Sequence, residues 1–168
     1  MYESSTISFV PCCAKDVSAV LWIEYSTPRE FPYKSYRYMN LEDTNSVKKS
    51  FDLLLHAQRG CMSVNGLMFA RKFEDPERIV MVRSYVMILP TAGLHIRCKH
   101  WTIVTPWKEG CFVQFFVQLY TESQEGFTAL PADVEYVQEV ALSTWSMKMH
   151  FYSKRLLDML GDMADTGR

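Results

Sequence analysis

The sequence lacks an excess of charge of either sign. It contains 18 lysine and arginine residues against 19 aspartate and glutamate residues, which gives a net charge of -1. Proteins that bind nucleic acid usually carry a positive excess, because they must neutralise backbone phosphates. The composition therefore predicts that nucleic acid is not a partner of this chain.

The cysteines lack the spacing of a metal site or of a disulfide framework. Their number is odd, they form no C-x-x-C pair, and none stands at metal-site spacing from a histidine; they are Cys12, Cys13, Cys61, Cys98 and Cys111. Structural zinc sites and disulfide-rich domains need more regular patterns. We therefore expect free thiols in a reducing compartment and predict neither a metal nor another cofactor.

Long apolar runs are also lacking. A helix that crosses a bilayer needs about 20 mostly apolar residues, and no stretch of this sequence comes near that length. The opening residues MYESSTISFV have neither the basic start nor the apolar run of a signal peptide. The sequence predicts a soluble, cytoplasmic protein without a transmembrane segment, and it leaves transient contact with a membrane open.

The spacing of a known catalytic centre is likewise missing. There is no G-x-S-x-G, H-E-x-x-H, G-x-G-x-x-G or P-loop motif. Asp52 and His56 stand four positions apart in a predicted strand, which places them about 13 Å apart on one face, too far for direct cooperation. We interpret them as surface residues and predict no catalytic residues and no enzyme activity.

One long amphipathic helix is the clearest feature that the sequence does contain. From Pro131 to about Met163, apolar residues recur every three or four positions, as one face of a helix requires; they are Val134, Val137, Ala141, Trp145, Met149, Tyr152, Leu156, Leu160 and Met163. Such a helix is about 45 Å long and is suited to lie across a curved sheet. Additional apolar residues widen this face and predict burial on more than one side; they are Tyr136, Val140, Leu142, Met147, Phe151 and Leu157.

The chain before this helix is rich in predicted strands. A first strand, Thr6 to Val10, precedes a short helix from Lys15 to Tyr25 and a loop from Pro28 to Pro32. Six strands follow, at Tyr33 to Met39, Val47 to Gln58, Met62 to Phe73, Ile79 to Ile88, Leu94 to Val104 and Cys111 to Thr121. The turn residues between them, Asp75 to Arg78 and the glycines after Arg59 and Ala92, make the links short, so neighbouring strands should be antiparallel.

Alternation within the strands assigns some of their faces. Phe51, Leu53, Leu55 and Ala57 share one side of their strand, and Ile96, Cys98, His100, Thr102 and Val104 share the side predicted to point inward. In the strands Met62 to Phe73, Ile79 to Ile88 and Cys111 to Thr121 the inward face stays open, and in the last of them both faces are rich in apolar residues. Asn65 and Gly66 either divide their strand as a hairpin turn or form a bulge, and we prefer the bulge.

This order of elements is the minimal layout of the helix-grip fold. We predict an α+β domain in which a curved antiparallel sheet of about seven strands wraps around the long C-terminal helix and leaves an apolar cavity between them. The 168 residues suit one domain, residues 1–168, with a sizeable core.

The sequence also resembles START-like domains of the mating-specific protein type. The similar segments occur in the same order as in that family: SFVPCCAKDVSAVLW, ARKFEDPERIVMVRS, IRCKHWTIVTP, VQFFVQLYTE and PADVEYVQEVAL, which begin at Ser8, Ala70, Ile96, Val113 and Pro131. The resemblance implies a lipid- or sterol-binding cavity domain related to START and Bet v 1-like proteins. A hydrophobic small molecule is therefore the expected partner.

The predicted cavity lining combines inward strand residues with the apolar face of the long helix. It consists of Phe51, Leu53, Leu55, Phe69, Val82, Ile96, His100, Phe115, Val117, Trp145, Met149 and Tyr152. His100 either orients a ligand or is a core histidine bonded to nearby backbone, and the second interpretation is preferred. Arg83 is either an interior cation or a solvated residue on the convex face, and again the second is preferred.

Three functional hypotheses follow from these observations. The leading one is a non-enzymatic module that binds a lipid or sterol in an apolar cavity. The second is a regulatory domain with a filled core, whose long helix contacts a protein partner. The third is a cyclase- or isomerase-like enzyme that uses an interior acid or base.

Overall fold

A computed structural model describes residues 1–28, 33–57, 60–90 and 93–166. Within these residues, seven antiparallel strands form one sheet in the order β1-β7-β6-β5-β4-β3-β2. The strands are β1 Tyr2–Val10, β2 Lys34–Asp43, β3 Ser46–Ala57, β4 Gly60–Glu74, β5 Ile79–Ile88, β6 Leu94–Trp107 and β7 Gly110–Ser123. Strands β2 to β7 are consecutive neighbours and β1 pairs with β7, so the predicted helix-grip layout is confirmed.

Helix α1, Ala14–Ser26, carries the chain from one edge of the sheet to the other. It begins after Cys13, whose Sγ accepts a hydrogen bond from the backbone N–H of Asp16 at 3.4 Å and thereby satisfies one of the unpaired donors of the first turn. The buried face of α1 is formed by Ala14, Val17, Ser18, Leu21, Trp22 and Tyr25. This helix therefore covers one part of the inner sheet face.

The predicted long helix is present and contains one irregular turn. It consists of α2 Pro131–Val137, a π-helical turn Gln138–Leu142 and α3 Ser143–Thr166, which together are called the C-terminal helix. The sequence did not predict the π turn, because the spacing of four residues from Val137 to Ala141 and from Ala141 to Trp145 also fits an ordinary α-helix. Among the described residues, no helix combines the length and the apolar character needed to cross a membrane.

The apolar stripe of the C-terminal helix faces the sheet as predicted. Val137, Trp145, Leu156 and Leu160 are buried, and Val134, Met149, Tyr152 and Met163 are partly buried against the same core. The side chains of Val140 and Ala141 lie outside the described residues. Met147 and Phe151 are exposed, so the second cover that the width of the apolar face predicts is not provided by the described part of this chain.

The turns between strands follow the predicted chemistry where the structure describes them. Asp75 Oδ1 accepts hydrogen bonds from the backbone N–H groups of Glu77 and Arg78, both at 2.9 Å. Gly60 and Gly93 have positive φ values of 141° and 76°, which glycine adopts without steric cost. Residues 29–32 of the predicted loop, Gln58 and Arg59, and Thr91 and Ala92 lie outside the described residues.

The inner face of the sheet is largely the predicted one. Its buried residues include Phe51, Leu53, Leu55, Ile96, Cys98, His100, Thr102 and Val104. The faces that the sequence left open are also decided: Met62, Val64, Met68 and Ala70 of β4, Met81, Arg83, Tyr85 and Met87 of β5, and Val113, Phe115, Val117 and Leu119 of β7 point inward. Asp52 lies on the outer face, where it forms an ion pair with Arg37, and His56 is exposed there too.

Two residues predicted to line the cavity lie on the opposite face. Phe69 alternates with buried Met68 and Ala70 and is 37% exposed, while Val82 alternates with buried Met81 and Arg83. Since successive side chains of a strand point to opposite faces, neither residue can reach the interior. The prediction was wrong because both faces of these strands carry apolar residues, so alternation alone gave no direction.

The predicted bulge at Asn65 and Gly66 is also absent. β4 pairs with β3 without a register shift, and Gly66 lies directly opposite Phe51. A Cβ atom added to Gly66 would overlap the ring of Phe51. Glycine is therefore present here because the Phe51 ring lies against the backbone of β4, and not because the strand turns.

Replacing Gly66 with alanine is expected to destabilise the domain by about 1–3 kcal/mol, the usual cost of overpacking a core. Chemical denaturation measures this change in the free energy of unfolding. Gly161→Ala is the matched control, since an added Cβ there meets no atom within 4 Å and alanine favours a helix. Equal stability of the two variants would show that the ring of Phe51 moves aside freely.

Candidate functional site

A cavity of ≈120 Å³ lies between the inner face of strands β2 to β5, the end of α1 and helix α3. Its apolar and aromatic lining consists of Tyr25, Tyr33, Tyr36, Met68, Tyr85, Trp145, Met149 and Tyr152. Its charged lining consists of Glu24, Lys34, Lys49, Arg83 and Lys148. The walls are therefore amphipathic, with more positive than negative groups.

The predicted cavity residues are divided between this cavity and the packed core. Trp145, Met149 and Tyr152 line the cavity. The other inward residues are buried without being part of its lining: Phe51, Leu53, Leu55, Ile96, His100, Phe115 and Val117. Phe115 and Val117 border a separate crevice of ≈10 Å³. The open space thus lies toward the β2 side of the sheet and not under its centre.

Arg83 is an interior residue, contrary to the preferred interpretation of the sequence. It is 3% exposed, its Nε donates to His100 Nδ1 at 3.2 Å, and its Nη1 lies 3.4 Å from the Tyr85 hydroxyl. The guanidinium carbon lies 3.8 Å from the ring centroid of Tyr25 and 5.2 Å from that of Tyr152. Stacking on aromatic rings offsets part of the cost of burying a planar guanidinium, which the strand pattern does not reveal.

His100 is buried at 1% exposure and is bonded to Arg83 instead of to backbone. Burial, and after it the positive charge of Arg83, holds the pKa of His100 well below its usual range, so the imidazole is neutral. Because a guanidinium can only donate, the neutral imidazole is the acceptor in this pair, with Nη2 of Arg83 2.5 Å from Nδ1 and 3.1 Å from Nε2. Burial opposes the charge of Arg83, but the phenols of Tyr85, Tyr25 and Tyr152 favour it, and the pKa of Arg83 stays above its ordinary value.

Two buried or partly buried lysines complete the positive wall. Lys49 is 4% exposed and donates to the backbone carbonyls of Tyr25 and Thr27 at 2.7 and 3.0 Å. Lys34 Nζ lies 4.2 Å from the ring centroid of Phe51 and 4.9 Å from that of Tyr36. Burial is the main reason that the pKa of Lys34 is lowered to about 7 and that of Lys49 to about 8, and the charge of Arg83 adds to both shifts.

Sequence reasoning missed both lysines, although one signal was present. Lys49 alternates with Val47 and Phe51, which are both buried, so the strand period placed it on the inner face. Lys34 precedes Tyr36 by two positions in the same way. Because lysine is rarely buried in proteins, the two lysines were not predicted to point inward despite this alternation.

Two further polar groups lie in or beside the wall. The Tyr25 hydroxyl is 2.8 Å from Thr102 Oγ1, and burial raises the pKa of Tyr25 to about 12, so this phenol stays neutral. The indole N–H of Trp145 is buried without a nitrogen or oxygen acceptor among the described residues. Burial raises the pKa of the Cys98 thiol, and its interaction with the Trp145 indole partly opposes that rise.

The free energy of unfolding is expected to rise between about pH 7 and pH 9. An unfolded lysine stays protonated to about pH 10.4, whereas Lys34 and Lys49 in the folded protein lose their protons near pH 7 and 8. The unfolded state then binds more protons, and stability increases with pH. Above about pH 9 the raised pKa values of Cys98 and Cys111 act in the opposite direction.

Thermal melting across this pH range measures the effect. The double substitution Lys34→Met and Lys49→Met should flatten the rise, because it removes both titrating groups. A wild-type melting temperature that falls steadily from pH 7 to pH 9 would contradict the burial of these ammonium groups.

Comparison with known proteins supports the fold alone. No protein-family model and no curated protein matches the chain. Among solved structures, the protein TTHA0849 from Thermus thermophilus is similar over 99% of this chain and 99% of its own, with a TM-score of 0.50 and 10% identity.

Two other similar structures have lower TM-scores. The di-domain ARO/CYC protein StfQ from the steffimycin biosynthetic pathway has a TM-score of 0.48 and 16% identity over 98% of this chain. This chain spans about half of StfQ, 51% of its length. Ara h 8.0201 has a TM-score of 0.44 and 13% identity over 98% of both chains.

Proposed function

We propose that this chain is a START-like ligand-binding module that holds a compact hydrophobic molecule in the cavity without transforming it. The observation that carries this proposal is the cavity of ≈120 Å³ between the sheet and the C-terminal helix. Met68, Trp145 and Met149 supply apolar contact surface there. Methionine side chains adapt to ligands of irregular shape.

The volume of the cavity limits the size of the expected ligand. An apolar cavity of about 150 Å³ holds one benzene molecule, so ≈120 Å³ suits a single ring or a short chain. A four-ring sterol would require the C-terminal helix to move away from the sheet. Within the lipid or sterol class that the sequence predicts, the proposal therefore favours small, single-ring or short-chain ligands.

Cavity filling tests the proposal. Met149→Trp should weaken the binding of a small hydrophobic ligand at least about tenfold while the domain stays folded, because an open cavity accepts added apolar volume better than a packed core does. Calorimetric titration with phenylacetate, phenylacetamide, hexanoate and a soluble sterol sulfate measures binding. Met147→Trp, on the exposed side of the same helix, is the matched control.

Two outcomes would count against the proposal. If wild-type protein binds none of these compounds and Met149→Trp unfolds, the interior is effectively filled. If a bound compound is recovered chemically changed, the enzyme hypothesis replaces simple binding; Lys34, whose pKa is about 7, is suited to exchange protons in such a reaction.

A protein-binding role is the second candidate, and one observation favours it. Phe151 and Met147 of α3 are 69% and 56% exposed, and large exposed apolar side chains that lie together often mark interaction sites. Phe151→Glu should then abolish a concentration-dependent increase in mass in analytical ultracentrifugation. A wild-type chain that stays monomeric at every concentration would argue against self-association through this face.

A further inference from the structure

The cavity carries more positive than negative side chains, since Glu24 is the one carboxylate beside four cationic groups among its described lining residues. Arg83 and Lys49 are 3% and 4% exposed, and Lys34 is partly buried beside them. In the part of the chain that the structure describes, the ion pairs join other residues, and none includes these three cations. Buried charges in proteins are normally paired with an opposite charge, because leaving them unpaired is costly.

The three cations also have unused hydrogen-bond donors. A guanidinium has five N–H groups. Arg83 Nε and Nη1 make one contact each and Nη2 contacts both ring nitrogens of His100, which leaves one N–H on Nη1. An ammonium has three N–H groups, and Lys49 uses two of them on backbone carbonyls. The contacts of Lys34 are with the faces of aromatic rings. The three cations therefore keep N–H donors that no described acceptor engages.

Resting on the function proposed above, we propose that the ligand is a small carboxylic acid, bound as its carboxylate by Lys34, Lys49 and Arg83. The apolar part of the ligand would pack against Met68 and Met149 on the other side of the cavity. The carboxylate supplies acceptors for the N–H donors left on these three cations and brings negative charge to them.

Size and donor geometry favour a carboxylate over a phosphate. A carboxylate accepts about four hydrogen bonds with two oxygens, which matches the few free donors of this wall. A phosphate ester brings three strong acceptor oxygens and nearly two charges, and it leaves less of the ≈120 Å³ for an apolar group. A carboxylate attached to one ring or a short chain uses both parts of the cavity.

A matched pair of probes separates charge from shape. Phenylacetate and phenylacetamide have nearly the same size, but only the first is an anion. At about pH 6, where both lysines are protonated, we expect phenylacetate to bind at least about tenfold more tightly, the effect of one or more charge-assisted hydrogen bonds. Isothermal titration calorimetry of the full chain measures both dissociation constants.

Substitution of one cation locates the anion. Lys34→Gln should weaken phenylacetate binding about tenfold or more and leave phenylacetamide binding unchanged. Lys99→Gln is the matched control, because it removes the same charge from the outer face of β6, where Lys99 is exposed. Equal losses in both variants would mean that net charge and not the cavity attracts the ligand, and would overturn the proposal.

The pH dependence of wild-type binding gives a second measurement that needs no variant. Phenylacetate affinity should fall between about pH 6 and pH 9 as Lys34 and Lys49 lose their protons, while phenylacetamide affinity stays constant. Among the described residues, the other charged groups around the cavity are Glu24 of α1, Arg83 of β5 and Lys148 of α3. The phenols around it are Tyr25, Tyr33, Tyr36, Tyr85 and Tyr152.

The outcomes distinguish this inference from the proposed function. Equal binding of phenylacetate and phenylacetamide, at every pH, overturns the carboxylate and leaves the hydrophobic ligand. Tighter binding of phenyl phosphate than of phenylacetate overturns the carboxylate in favour of a phosphate. Failure of all three probes, together with hexanoate, overturns both proposals.

Discussion

Replacing Trp145 with alanine is expected to lower the free energy of unfolding by about 3–5 kcal/mol, the usual range for deleting a large buried aromatic side chain. Trp145 is 3% exposed, and its ring packs edge to face on Tyr85 with 6.3 Å between the centroids. It also lines the cavity. Its loss would therefore enlarge an existing void that the surrounding side chains do not already fill.

The matched control for this variant is Met147→Ala, two positions away on the exposed side of α3. Surface substitutions usually change stability by less than about 0.5 kcal/mol. Urea denaturation of both variants gives the comparison. A Trp145→Ala variant as stable as Met147→Ala would show that the indole is exposed and that the C-terminal helix has another rotation about its axis.

Removing Pro131 to Arg168 is expected to abolish cooperative folding. The C-terminal helix contacts β1, β3 and β7 and covers the part of the inner face that α1 does not reach. Without it, apolar residues such as Val117, Met68 and Tyr85 would face water. An exposed apolar face of this size leads to aggregation or to a molten state.

Amide spectra and the binding of a hydrophobic dye measure the state of the shortened chain. A monomeric fragment with sharp, well-dispersed resonances and no dye binding would contradict the prediction. It would show that α1 and the sheet bury enough surface to fold by themselves.

The sequence predicted the fold because the helical period of about 3.6 residues and the strand period of two residues are clear where only one face of an element is buried. The apolar spacing of the C-terminal helix, with Trp145, Leu156 and Leu160 in one row, requires a sheet to cover it. In β6, apolar and polar residues alternate around Arg97 and Lys99, so the inner face was assigned correctly. The short turn at Asp75 to Arg78 correctly predicted that the strands on either side of it pair antiparallel.

The sequence predictions that were wrong concern residues for which the local pattern does not show which face points inward. Both faces of β4 and β5 carry apolar residues, so Phe69 and Val82 were assigned inward although they point outward. Asn65 and Gly66 have the composition of a turn, yet the glycine is needed because the ring of Phe51 lies against it. That contact joins two strands, and no single strand reveals it.

The candidate site was predicted only in part for the same reason. Trp145, Met149 and Tyr152 line the cavity as part of the helix stripe. Lys34, Lys49 and Arg83 come from three different strands, and their charge matters only because the fold brings them to one wall. The burial that lowers the pKa values of Lys34 and Lys49 is likewise a property of the folded state.

The sequence by itself determined the elements, their antiparallel order and the helix-grip layout, because these depend on the local period of apolar residues and on turn chemistry. Only the tertiary structure decided where the cavity lies and that its wall is positive, because both depend on contacts between residues distant in the chain. Arg83 illustrates the difference. The strand pattern allowed either face, and the aromatic rings of Tyr25 and Tyr152, from two helices, make the interior position stable.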